Sequence, residues 1–147
     1  MRIVHHLRLI ATATLGLAIA TASSAPSRPR VVPAPGEGLF CSAMFLIVAA
    51  EVGRRCFPEK NAIVHAELER SIGLIDAYVL RNSSATKGQL AAFRSRQDGM
   101  GESNEQLCQG DRLMLYNKIV SVGADTIRAQ TATLIARPGK PTWGHCL

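Results

Sequence analysis

The sequence predicts an all-α domain: a small up-down-up-down four-helix bundle with an irregular C-terminal tail, stapled by disulfides. Three observations predict it. Val64, Leu68, Ile72, Ile75 and Val79 recur at spacings of four, four, three and four, which makes one apolar stripe along a helix. Strand signals, alternating runs rich in β-branched residues between turn residues, are absent. Pro58, the polar run Arg81–Ser84 and the glycines of "DGMG" divide the chain beyond Leu39 into four helical stretches, and the four cysteines are an even number.

Taken in order, the chain of 147 residues opens with "MRIVHHLRLIATATLGLAIATA". Arg2 and Arg8 precede an apolar run from Leu9 to Ala20 that ends in small residues, the three-part plan of a signal peptide with cleavage expected before Ser23. The run is shorter than the ~18 to 20 residues a membrane-spanning helix needs. Residues 1–22 are therefore expected to be removed on export. Residues 23–38, "SSAPSRPRVVPAPGEG", carry four prolines among small residues and read as an extended linker. A single helical domain is expected over 39–147.

The first helix, within "GLFCSAMFLIVAAEVGRRCFPEK", has no polar face in its opening run. Such a helix is buried or in lipid. Its apolar stretch from Leu39 to Ala50 is only ~18 Å long at about 1.5 Å per residue. It cannot cross a ~30 Å hydrocarbon layer, so it is expected to be the central core helix, ending at Pro58. A second helix is expected to start at Pro58 and Glu59 and to stop after Leu80. A third fits "SATKGQLAAFRSRQ", with Leu90 and Phe93 as its apolar positions, and "DGMG" ends it. The fourth is expected from Glu102 or Ser103 to Arg137, weakened by Gly110 and Gly123, where a bend or short break is expected. No membrane span is expected in the mature chain.

The cysteines, Cys41, Cys56, Cys108 and Cys146, read as two disulfides of an exported protein. Cys41 and Cys56 would stand about 22 Å apart along one helix, beyond the ~7 Å reach of a bridge. In the expected topology the first helix ends at the level where the last begins. That favours Cys56–Cys108 and Cys41–Cys146. No CxxC occurs, so a redox pair and a c-type haem lack their spacing.

Seventeen basic residues against eleven acidic give a net charge of +6, and without Arg2 and Arg8 this falls to +4. A scattered charge of that size serves solubility. Nucleic-acid binding is not expected, because no dense basic stripe with interleaved aromatics is present. His65 and Glu69 share a helical face in "VHAELE" and are the weak candidates for a metal, with Glu67 nearby; the Glu-x-x-His signature of di-iron bundles fails at Ala62. A solvated helix face is the reading preferred for them. Trp143 is expected to dock the tail onto the bundle.

The spacing of Cys41 and Cys56, then "LIDAYVL", "QLAAFRSRQ" and Cys108, resembles small envelope proteins of the lysozyme-inhibitor-like type over part of the chain. That family's Trp soon after the Gln is missing here, so no membership is assigned and no functional residue carries over. The expectation is a small exported helical protein, periplasmic or secreted, that acts by binding, without a cofactor and without catalytic residues. Its partner would be an envelope protein or an acidic surface met by Arg54, Arg55, Arg94 and Arg96. The alternatives are a metal-binding protein or enzyme using His65 and Glu69, and a periplasmic chaperone-like protein.

Overall fold

The computed structural model describes residues 38–99, 101–136 and 138–144. The expected signal peptide, the linker up to residue 37, and Cys146 lie outside the described residues. Among the described residues six helices follow one another: α1 (Leu39–Cys56), α2 (Ala62–Asn82), α3 (Lys87–Gln97), α4 (Asn104–Leu107), α5 (Gly110–Val122) and α6 (Ala124–Ile135). No strand occurs among the described residues.

The all-α class stands, but the simple up-down-up-down four-helix bundle does not. The segment expected to form one final helix is three: α5 packs on α1, while α6 packs on α2. The reason lies in two glycines. Gly110 at φ 60° and Gly123 at φ 83° hold backbone conformations that side-chain-bearing residues rarely adopt: Gly110 opens α5 after α4 has ended at Leu107, and Gly123 separates α5 from α6, where the packing partner changes. A single straight helix would have covered only one neighbour. The breaks let this stretch cover α1 and α2 in turn.

α1 is the axis of the core, as its apolar circumference requires. It packs against α2, α3, α4 and α5. One cluster joins its N-terminal half to the far half of α2 and to α3, through Leu39, Ala43, Ile47, Ile75, Val79 and Leu90. A second joins its C-terminal half to the near half of α2 and to α4, α5 and α6, through Val52, Leu68, Leu107, Tyr116 and Ile127. Burying each of these leucine, isoleucine and valine side chains contributes roughly 1.5–3 kcal/mol. Among the described residues no helix is long and apolar enough to cross a membrane.

The second helix starts later than expected, at Ala62, because Asn61 takes a left-handed conformation at φ 56° and Pro58 to Lys60 form a turn. Two reciprocal caps set other starts. Thr86 accepts from the Gln89 N–H while Gln89 accepts from the Thr86 N–H, and Ser103 with Gln106 repeats the arrangement. At the end of α1, Cys56 is bridged to Cys108 with α-carbons 5.7 Å apart. Arg55 strengthens the same junction, donating to Asn104 Oδ1 at 2.8 Å and to the Glu102 carbonyl at 2.6 Å. Cys41 is also disulfide-bonded.

Substituting two glycines separates strain from space. Neither Gly123 nor Gly73 has an atom within 4 Å of where a Cβ would stand, yet only Gly123 has a positive φ. Gly123→Ala is expected to destabilise by about 1–3 kcal/mol. Gly73→Ala, in the exposed interior of α2, is expected to stabilise by roughly 0.5–1 kcal/mol. Urea unfolding of both variants checks this, and equal effects would mean that the break at Gly123 is not a backbone requirement.

Candidate functional site

An open groove lies where the start of α1, the α2–α3 loop, α3 and the tail meet. Phe40, Phe93 and Trp143 form its aromatic wall, and Leu90 lies among them. Ser83, Ser84, Gln89 and Arg96 supply its polar lining, around a space of about 480 Å³. The ring centres of Phe40 and Phe93 are 5.7 Å apart at 63°, those of Phe40 and Trp143 are 5.5 Å apart at 39°, and those of Phe93 and Trp143 are 5.6 Å apart at 68°. Trp143 remains 51% exposed although two rings touch it.

The tail is fixed in place by its backbone. The Phe40 N–H donates to the Thr142 carbonyl at 3.2 Å, and the buried Tyr78 hydroxyl donates to the Gly139 carbonyl at 2.9 Å. Trp143 thus docks the tail as its sequence context suggests, and leaves half of its own surface to solvent. That combination makes this groove the candidate site.

Two polar clusters lie elsewhere. At the close approach of α1 and α2, the His65 ring sits against Gly53, and a Cβ added there would stand 2.5 Å from Nε2. His65 Nε2 and the Tyr116 hydroxyl are 2.9 Å apart, and Asn61 Nδ2 donates to the same hydroxyl at 2.9 Å. Burial pushes the His65 pKa down, which favours the neutral ring. Tyr116 is only 2% exposed and stacks on Phe57 at 5.0 Å. Its hydroxyl accepts from Asn61 and satisfies its own proton by donating to Nε2 of the neutral ring.

The second cluster ties α2 to α6. Glu67, only 4% exposed, accepts from Arg70 at 2.5 Å, from the Ser71 hydroxyl at 3.1 Å and from Arg128 at 2.9 Å. These donors, Arg70 foremost, hold its carboxyl down to about 2, against a smaller opposing effect of burial. Both arginine side chains stay about half exposed, at 45% and 53%. Their partial hydration reduces the desolvation that makes most buried ion pairs unprofitable. Asp76, paired with Arg94 of α3, is instead raised by burial, with Arg94 opposing the rise.

The residues singled out from sequence do not converge. His65 bonds to Tyr116 while Glu69 is exposed, and Glu67, expected on a solvated face, is buried between two arginines. Among the described residues no three His, Cys, Asp or Glu side chains are placed to hold a metal ion. Arg54 pairs with Glu51 at 2.6 Å, Arg55 is spent on the α4 junction, and Arg94 holds Asp76. Arg96 is exposed on the groove, with no ion pair among the described residues. The groove itself was not read from sequence. Phe40, Phe93 and Trp143 are ordinary apolar positions until the fold brings them together.

Two expectations follow from the polar clusters. Because the Glu67 carboxyl is lowered in the folded state, its contribution is complete above about pH 4.5 and disappears as pH falls towards about 2. The lowered His65 pKa acts with the same sign, from about pH 6.5 downward. Glu67→Gln is expected to cost about 2 kcal/mol at pH 7 and to flatten the pH 4.5 to 2 part of the profile, measured by denaturant unfolding across pH. Gly53→Ala is expected to cost about 1–3 kcal/mol through the clash with His65. The same substitution made in a His65→Ala background should be neutral or stabilising, and a double-mutant cycle without coupling would contradict that contact.

Compared with protein-family models, curated proteins and solved structures, the chain matches none.

Proposed function

We propose that this chain is a small exported protein of a bacterial periplasm or envelope that acts by binding, and that the aromatic groove is its contact face. The observation that carries the reading is Trp143: it is positioned by two rings and by backbone bonds of the tail on either side of Lys140, and is still half exposed. Single exposed apolar residues are commonplace. A half-exposed tryptophan continuous with two phenylalanines and an uncommitted arginine is a recognition surface. Export is supported by the sequence of residues 1–22 and by the oxidised cysteines, which suit an oxidising compartment.

The partner is an envelope protein or an acidic surface. Of the four arginines expected to meet it, Arg96 is the one in the groove, while Arg54, Arg55 and Arg94 have carboxylate or carbonyl partners within the fold. No observation favours a metal site at His65 and Glu69. A chaperone-like opening on acidification would have to release the α2–α6 tie, and Glu67 stays ionised down to about pH 2.

A photo-crosslinking residue placed at Ser84, on the groove, tests this reading in cells that export the chain. An envelope adduct is expected from Ser84 and not from Ser121 on α5, and Trp143→Ala should remove it. Identical adducts from both positions, or an adduct indifferent to Trp143, would sink the reading.

A further inference from the structure

The groove's shape and charge define the chemistry of its ligand. About 480 Å³ falls within the ~300–1,000 Å³ of small-ligand sites. The three rings are in mutual contact at 5.5–5.7 Å, which leaves no gap between them for a cation to enter. A quaternary ammonium cage is therefore excluded by spacing, and Arg96 would repel such a ligand. The rings also stand at 39° to 68° to one another, so they offer an uneven apolar surface for a side chain to pack on and not the flat platform that suits the face of a sugar.

Among the described residues the lining carries Arg96 and no carboxylate. An exposed guanidinium without an ion pair among the described residues is complementary to an anion, and its planar fork matches a carboxylate in two-point contact. Ser84 and Gln89 add hydrogen-bonding capacity beside it. Gln89 already accepts from the Thr86 N–H through Oε1 at 2.8 Å, which leaves its amide N–H groups to donate. A fatty acid has no use for such groups, whereas a peptide's amides do.

Resting on the reading of the groove as the contact face, we propose that it takes the free C-terminal end of a peptide. The last side chain, aromatic or large and apolar, sits on Trp143, Phe93 and Phe40, and the terminal carboxylate meets Arg96. Ser84 and Gln89 bond to the peptide backbone. The site is largely pre-formed, because the α2–α3 loop and the tail are held by hydrogen bonds before any ligand arrives, and this lowers the ordering that binding requires.

Trp143 is the only tryptophan in the chain, so its fluorescence reports on the groove directly. The processed full chain would be titrated with acetyl-Gly-Gly-Phe as the free acid, with the C-terminal amide of the same peptide, and with sodium decanoate. The acid is expected to shift the emission and to bind at least about tenfold more tightly than the amide, a difference of one charge-assisted contact. Arg96→Gln should abolish the preference, and Arg54→Gln should leave it intact. Equal affinity for acid and amide, a preference that survives Arg96→Gln, a stronger response to decanoate, or no response at roughly millimolar peptide would each overturn the proposal. If the peptides fail while the Ser84 adduct still depends on Trp143, the groove binds another ligand class. If both fail, the groove is not the contact face.

Discussion

A helix with no polar face in its opening turns has to be enclosed, and that requirement on α1 organises the rest of the molecule. Its residues from Leu39 to Ala50 include no charged side chain, so each direction around the axis needs a neighbour. α2 supplies one along the whole length, α3 covers the N-terminal half, and α4 with α5 covers the other. A last helix running straight on from α5 would have left α2 without the neighbour that α6 supplies. The break at Gly123 is how a short chain covers two helices with one segment. The Cys56–Cys108 bridge then fixes the end of α1 to the start of that segment. Closing a loop of 52 residues in sequence restricts the unfolded chain by about 4 kcal/mol in the entropy account.

Apolar burial is tolerant of direction, and the polar clusters are what select one arrangement. Glu67 is held within α2 by Arg70 and Ser71, but its bonds across to α6 form only when Arg128 reaches it from 61 residues away, so a rotated or shifted α6 would lose them. His65 and Tyr116 impose the same kind of condition on α2 and α5, and Gly53 permits the approach by having no side chain. Whether such groups add net stability depends on how much hydration their partners keep. Here the arginines remain half exposed, so the network fixes register without a large desolvation penalty.

Much of the fold was legible in the sequence for reasons that are local. The stripe from Val64 to Val79, the apolar first helix and the glycine weakness at 110 and 123 are all readable from neighbouring residues. The Cys56–Cys108 pair followed from the helical rise and an antiparallel return, and needed no more than the level at which two helices meet. A bend or short break at these glycines is legible, but not that the segment becomes separate helices, because periodicity does not say that a segment must serve two partners. The capping boxes at Thr86 and Ser103 were written in the sequence as well, each with Gln three residues on, and went unread. The late start of α2 was less accessible, since Asn61 departs from helical backbone conformation through contacts of its side chain with Tyr116.

The groove was illegible for a different reason, and that reason bears on its meaning. Its rings come from positions 40, 93 and 143, and nothing within a helical turn of any of them announces the others. The tethers of the tail, Phe40 to Thr142 and Tyr78 to Gly139, hold Trp143 at the pair of phenylalanines. Had these tethers served stability alone, the gain would lie in burying the indole, at roughly 25 cal/mol for each Å² removed from water. Half of that gain is left unrealised, and Arg96 stands on the same groove without an ion pair among the described residues. A tail held this firmly still leaves its tryptophan half exposed beside Arg96, and the proposed contact face is built from that exposed half.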